Sequence, residues 1–292
     1  MKNIYNCIIG IVVLFFAYSC SKSFDDTLVP ECEVINGFEV CWRTQITENQ
    51  KAIIRGILND MVYVEGDYFV MGATPEQEEF ARSNEYPNAY IRLSDFYICK
   101  YEVSDEQYNV IMEEEKAASM SYPSSYAYDE WVRFIEVLRD MTSLDFNMPS
   151  EAQWEFSAKG GRYSRNYIYP GSNNIEDVCS TSYINGSQFP NELGLFNMAD
   201  LKSEWCLDFY DSLVPGKLLY DWIQLSGEYH VVRGGNFRCT TETDCYEKKP
   251  LIYSLGYDDT DYRYCRTTSR AYGYEHEINY IGCRLVINSV LR

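Results

Sequence analysis

The sequence predicts an α+β fold whose second half is dominated by loops. Before residue 161, apolar residues recur at helical spacing or follow capping signals, and short strand-like runs lie between those segments. Beyond Arg162 the helical period is lost, and Gly, Asn, Asp, Ser and Tyr prevail. A loop-rich half of that length needs internal hydrogen bonds, ions or disulfides to hold it, because a regular sheet alone cannot.

The first segment, Met1 to Tyr18, carries Lys2 and an apolar run from Ile8 to Ala17 broken only by Gly10. This is too short to span a bilayer as a mature helix and suits the core of a signal peptide. Ala17-Tyr18-Ser19-Cys20 resembles a bacterial lipobox, in which Cys20 is lipidated and becomes the mature N-terminus. The alternative is an ordinary secretory signal with an incidental cysteine. Either reading puts the domain outside the cytoplasm. Phe24 to Thr47 is polar and mixed and reads as a tether. Ile53, Ile54, Ile57 and Leu58 then give Glu48 to Leu58 the spacing of a short lead-in helix.

MVYVEGDYFVMG follows, with Val62 to Val64 and Tyr68 to Met71 flanking Glu65-Gly66-Asp67, and reads as a β-hairpin. Tyr90 to Tyr101 alternates in part and reads as a further strand. Ser104 with Gln107 three residues on forms a capping box for a helix towards Met112. Asp129 precedes Trp131, Phe134, Ile135 and Leu138, which mark one buried helix face. Ser150 with Gln153 repeats the box, and Gly160-Gly161 ends that helix. Later strand candidates are Tyr229 to Val232 and Ile281 to Ile287. Asn191 to Tyr210, NELGLFNMADLKSEWCLDFY, fits neither a helix face nor an alternating strand. It reads as an ordered loop held by a bound cation or by a dense hydrogen-bond net.

Composition narrows the function. The 292 residues hold 44 acidic and 25 basic side chains, a formal charge of -19, which argues against a nucleic-acid partner. Only His230 and His276 are present, so a His-rich metal site or a Ser-His-Asp triad is not expected. With 27 tyrosines, tyrosine-lined recognition competes with ordinary packing at a core edge. Setting aside Cys7 in the leader and Cys20 leaves Cys32, Cys41, Cys99, Cys179, Cys206, Cys239, Cys245, Cys265 and Cys283. That is an odd number, so in an oxidising compartment some pair and at least one does not. Cys32 and Cys41 bracket Gly37 and are placed to close a short loop. No CxxC spacing supports structural zinc.

Several segments, in order, resemble the sulfatase-modifying factor family, whose founding member is the formylglycine-generating enzyme. They are MVYVEGDYFVMGAT, LSDFYICKYEVSDEQY, MPSEAQWEFSAKGG, GSNNIEDV, PNELGLFNMADLKSEWCLDFY, VVRGGNF, CRTTSR and IGCRLV, from about Met61 to Val286. The resemblance implies a variant of the C-type lectin fold with short helices beside small antiparallel sheets. With the leader reading above, the chain divides into a signal peptide (1–19), a lipidated N-terminus with tether and lead-in helix (20–58), and a sulfatase-modifying-factor-like domain (59–292).

The family's enzymes oxidise a sulfatase cysteine to formylglycine with oxygen and a copper ion held by two cysteines after an RGGS segment. Cys239 falls at the first of these, and Cys245 lies one residue beyond the family spacing for the second. The intervening Thr240-Thr241-Glu242-Thr243-Asp244 is acidic and lacks the family's His and Tyr, so a disulfide or separate pairing competes with a copper site. The resemblance also implies a calcium site from the side chains of Asn197 and Glu204 and the carbonyls of Asp200 and Lys202. Against it, Asp200-Leu201 replaces a Gly-Asn pair, and loop-capping hydrogen bonds are the competing role. It suggests a Cys206–Cys265 pair, and it places a ligand surface on Tyr253, Tyr257, Tyr262, Tyr264, Tyr272 and Tyr274.

These expectations combine into a lipid-anchored protein of the bacterial cell envelope, outer-membrane or periplasm-facing. Its non-catalytic domain binds an envelope or extracellular protein or glycan. The alternatives are a copper-dependent formylglycine-generating oxidase acting through Cys239 and Cys245, and a structural part of an envelope assembly.

Overall fold

The structure is a computed structural model, and it describes residues 31–43, 45–116, 122–179, 184–235, 265–274 and 281–288. Cys20, Cys239, Cys245, Tyr253, Tyr257, Tyr262 and Tyr264 lie outside the described residues. No helix among the described residues is long and apolar enough to cross a membrane.

The stretch expected to be a tether contains ordered structure. Strands β1 (Cys32–Ile35) and β2 (Phe38–Cys41) form an antiparallel hairpin closed by a Cys32–Cys41 disulfide. Its Ile35 and Val40, with Trp42 just beyond, enter the same core as the rest of the protein. Glu33 takes hydrogen bonds from Trp42 Nε1 (2.7 Å) and Arg55 Nε (2.9 Å). The polar residues that suggested a tether therefore form the outer face of a two-stranded cover.

The capping signals mark helix starts well. Helix α1 (Glu48–Asn59) begins at a Thr47–Gln50 capping box, and α2 (Asp105–Met112) begins at Ser104–Gln107. Helix α3 (Tyr128–Thr142) starts earlier than Asp129 suggested, at Ala127, whose amide is held by Glu130. Helix α4 (Glu151–Ala158) begins at Ser150–Gln153, and Gly160 beyond its end adopts φ 90°. The four-residue α5 (Ile175–Val178) lies in the loop-rich half.

The expected hairpin of 61–71 does not form. Instead β3 (Met61–Val64) and β4 (Tyr68–Met71) pair in one continuous antiparallel register with the segment expected as a single strand. That segment is split into β5 (Ala89–Arg92) and β6 (Phe96–Cys99), with Met61 opposite Cys99 and Tyr68 opposite Arg92. The ribbon breaks where Gly66 donates to Asp95 Oδ1 (2.9 Å) and Leu93 donates to the Asp67 carbonyl (3.0 Å). Its two ends thus join different sheets. β3 and β6 continue through β13 (Val286–Asn288) to β7 (Phe146–Asn147), while β4 and β5 continue to β9 (Leu218–Tyr220).

A third sheet runs β11 (Ala271–Gly273), β10 (His230–Arg233), β8 (Ser203–Phe209) and β12 (Ile281–Gly282). The candidate strand 281–287 is thus two strands in two sheets. Pairing is mainly antiparallel, with β12–β8 and β5–β9 parallel.

Strand β8 corrects the reading of 191–210 as loop throughout. Its apolar face (Trp205, Leu207, Phe209) and its acidic face (Glu204, Asp208) are both largely buried, so the alternation does not separate core from solvent. Trp205 packs into the core of α1, α2 and α3 with Ile54, Tyr108, Trp131 and Phe134. Cys206 packs into a second core with Trp154, Phe156, Phe96 and Val286.

Candidate functional site

The first half of the 191–210 stretch is held by a hydrogen-bond net. Asn191 Oδ1 accepts from the amides of Leu193 (3.0 Å) and Leu195 (3.1 Å), while its Nδ2 donates to the Ser157 carbonyl (2.7 Å). Asn197 and Leu201 both adopt left-handed backbone, φ 57° and 65°. Asn tolerates that region, whereas a bulky residue such as Leu seldom enters it. Asn197 and Leu201 therefore hold a conformation that glycine adopts more easily.

The side chains expected to ligate calcium are engaged with protein groups. Asn197 Oδ1 accepts from the Gly186 amide (2.7 Å), and its Nδ2 donates to Asp200 Oδ1 (2.9 Å). Glu204 Oε1 accepts from Arg284 Nη2 (2.6 Å) and Nε (3.0 Å), and Glu204 Oε2 accepts from Trp154 Nε1 (2.7 Å). Among the described residues, no three His, Cys, Asp or Glu side chains converge as a metal site. The unpartnered hard oxygens nearby belong to other residues: both carboxylate oxygens of Glu102 and the Oδ1 of Asn185.

The second candidate is a tyrosine face around β11, the edge strand of its sheet among the described residues. Tyr229 stacks on Tyr272 at 4.7 Å between centroids and meets Tyr274 edge-on at 4.8 Å. Tyr210 lies 4.9 Å from Tyr272. Tyr274 is exposed and the other three are half-buried. The hydrogen bonds of Tyr229 to Tyr274 and Glu228 hold its hydroxyl above the usual phenol range. Of the six tyrosines expected at a ligand surface, Tyr272 and Tyr274 are described. Tyr210 and Tyr229 join them, and sequence reasoning missed both because they reach the face from other segments.

Beneath that face, buried ion pairs fix the backbone. Arg270 grips Glu151 with Nε and Nη2, and its Nη1 donates to the Asn84 carbonyl (3.1 Å). Arg233 bridges Glu151 (2.9 Å) and Glu155 (2.6 Å) and donates to the Ser269 carbonyl (3.0 Å). Arg266 and Thr268 hold Glu85. Burial pulls the Glu85 and Glu151 carboxyls upward, but these guanidinium partners outweigh it and leave both below the usual range. Such rigid support positions a surface segment without relying on regular strands. The signal for this network was present as the arginines of VVRGG, CRTTSR and IGCR, but their acidic partners, Glu151 and Glu155 on α4, Glu85 and Glu204, are remote in sequence.

The Cys206–Cys265 pair does not form. Both are free, and they sit in separate hydrophobic clusters, Cys206 with Trp154 and Cys265 with Tyr169, Val178 and Ala199. Cys99 and Cys283 are likewise free and buried, and Cys179 is buried too. Burial pushes the Cys99 thiol up to about 11 and raises Cys206 and Cys283, so these three are un-ionised thiols at neutral pH.

Comparison with known proteins matches this geometry to a family. The chain is similar to a chaperone protein LppX of Paenibacillus barcinonensis, 24% identical over 215 residues, covering 53% of this chain and 73% of that protein. It is also similar to a serine/threonine-protein kinase pkn1 of Chlamydia pneumoniae, 24% identical over 231 residues, which spans 61% of this chain but only 33% of the kinase. The solved structure of PvdO from Pseudomonas aeruginosa superposes with a TM-score of 0.60 at 18% identity, covering 78% of this chain and 94% of PvdO. That likeness shows the fold, the formylglycine-generating-enzyme variant of the C-type lectin fold. The sequence itself matches the sulfatase-modifying factor enzyme 1-like domain over residues 47–144 and 117–289. The chain therefore belongs to the sulfatase-modifying factor family.

Proposed function

We propose that this chain is a lipid-anchored protein of the bacterial cell envelope, and that its sulfatase-modifying-factor domain binds a protein partner instead of oxidising one. The observation that carries the reading is the tyrosine face of Tyr210, Tyr229, Tyr272 and Tyr274, gathered around β11 and braced from below by the Arg270–Glu151 pair. Rigid aromatic side chains with a polar tip supply contact area at low entropic cost, which is why they dominate protein-binding surfaces.

The leader ending at Cys20 supports the envelope anchor, and so does the likeness to a relative named LppX. That relative's description as a chaperone favours a protein over a small ligand. The acidic segment from Thr240 to Asp244 weighs against copper chemistry, because it lacks the His and Tyr that accompany the enzymes' cysteines.

Two measurements on the leaderless chain and in intact cells test this. A photo-crosslinking residue replacing Tyr274 is expected to give a discrete protein adduct. The same residue at Val34, exposed on the β1–β2 hairpin, is expected to give none. Tight one-to-one Cu(I) binding that disappears in Cys239→Ser, together with aldehyde formation in a sulfatase-motif peptide under oxygen, would replace the binding reading with the oxidase.

A further inference from the structure

A cleft of about 270 Å³ opens where the bend between β5 and β6, the start of α4 and the last residue of β13 meet. It shares no residue with the tyrosine face. Leu93, Leu207 and Ile223 give it an apolar wall, and no Lys, Arg or His among the described residues lines it. Its size lies near the lower end of small-molecule sites, which run from roughly 300 to 1,000 Å³.

The polar groups of the cleft divide into donors and acceptors. Ser150 and Gln153 are only 3% and 9% exposed. The capping box of α4 fixes them: Gln153 Oε1 accepts from the Ser150 amide (2.9 Å), and Ser150 Oγ accepts from the Gln153 amide (3.1 Å). Gln153 Nε2 gives one proton to Asn288 Oδ1 (2.9 Å). The Ser150 hydroxyl proton, the second Nε2 proton and the Nδ2 of Asn288 are left to donate. The acceptors are Asp221, which takes the Ser94 amide and hydroxyl (both 2.7 Å), and Asp95, which takes the Gly66 amide (2.9 Å) and the Tyr63 hydroxyl. Each carboxylate is thereby held in place and, with about four lone-pair sites, accepts further bonds.

This combination selects among ligands. An anion would face two carboxylates with no cation to offset them. An ammonium or guanidinium group would suit the carboxylates but set its own N–H groups against those of Gln153 and Asn288. A hydroxyl both gives and accepts, so it meets both sets. A ring bearing several hydroxyls also has C–H faces for the apolar wall.

We propose that this cleft binds a neutral saccharide ring, its hydroxyls on Gln153, Asn288 and the carboxylates of Asp95 and Asp221, and its C–H face on Leu207 and Ile223. The site is separate from the surface read above as protein-binding, and its test does not depend on that reading.

The test uses the full folded chain and saturation-transfer NMR, with the methyl glycosides of glucose, galactose, mannose and N-acetylglucosamine as probes and putrescine as the cationic alternative. At least one glycoside is expected to bind. Asn288→Asp keeps the acceptor for Gln153 but removes the Nδ2 donor, so it is expected to bind that glycoside at least roughly tenfold more weakly at an unchanged melting temperature. A β1,4-linked tetrasaccharide of the same sugar identifies the source. Tighter binding points to a glycan chain and equal binding to a free sugar, and either upholds the saccharide assignment. No signal from any glycoside at about 20 mM overturns the proposal. Binding of putrescine in their place, or wild-type affinity in Asn288→Asp, does the same.

Discussion

The Arg284 guanidinium and the Glu204 carboxylate form a fully buried ion pair that ties distant segments together. Arg284 lies between β12 and β13 and Glu204 on β8, with Nη2–Oε1 at 2.6 Å and Nε–Oε1 at 3.0 Å. The remaining donors of Arg284 reach the carbonyls of Cys99 (3.1 Å), Lys100 (2.8 Å) and Phe196 (2.9 Å). One side chain thus satisfies the end of β6, the 191–200 loop and β8, which is possible because a guanidinium presents a planar fork of donors.

Arg284→Met is expected to destabilise the protein by about 3–5 kcal/mol, because Glu204 is left buried and uncompensated along with orphaned carbonyls. Arg284→Lys should recover only a minor part, since a point charge cannot serve the carboxylate and the carbonyls together. Denaturant unfolding at neutral pH measures both. A loss under about 1 kcal/mol for the Met variant would mean that the pair is not structural.

Asp208 sets the alkaline side of the stability profile. Burial, then the charge of Glu151, raise its carboxyl to about 7, against amide hydrogen bonds from Glu151 (2.7 Å) and Gln224 (2.9 Å). The folded state therefore holds this proton more tightly than the unfolded state. Stability from this group is greatest below about pH 4 and falls as pH rises towards 7, by on the order of 1 kcal/mol per unit. Glu85 and Glu151, whose carboxyls are lowered, contribute stability above the ordinary glutamate range and lose it as pH falls below. The melting temperature is expected to peak in mildly acid solution, and Asp208→Asn should flatten the decline between pH 5 and 7 if Asp208 causes it.

Reducing the Cys32–Cys41 bond, which closes a separation of 9 residues, is expected to cost about 2–3 kcal/mol. The loss should appear as a lower denaturant midpoint in dithiothreitol, matched by the Cys32→Ser/Cys41→Ser double variant in the absence of reductant. Unchanged midpoints would show that the hairpin's packing through Ile35, Val40 and Trp42 suffices without the bond.

Much of the helical half was legible because its signals are local. A serine with a glutamine three residues on satisfies amides within the same turn, so Ser104–Gln107 and Ser150–Gln153 could act wherever the chain went next, as Thr47–Gln50, which the sequence reading passed over, also does. The strands were harder. Val62 to Met71 looked like a hairpin because Glu65-Gly66-Asp67 resembles a turn, but Gly66 is pinned to Asp95 and the segment runs on against 89–99. Strands of four residues carry too little alternation to name their partner.

The candidate site was legible only in part. Tyr272 and Tyr274 were recognised, but Tyr210 and Tyr229 join them through the pairing of β10 with β8 and β11. Asn197 and Glu204 were recognised as acceptors, but the donors they meet, Gly186 and Arg284, lie on other segments.

By itself the sequence determined the starts of α2 and α4, the short Cys32–Cys41 loop, the acidic balance and the family, all of which depend on local spacing or ordered motifs. Only the tertiary structure decided which carboxylates are neutralised and which are not. Glu204 and Glu151 take hydrogen bonds from arginines of remote segments, while neither carboxylate oxygen of Glu102 has a hydrogen-bond donor. The charge state of a buried acid is set by what folding brings within a few ångströms of it, and no spacing along the chain records that distance.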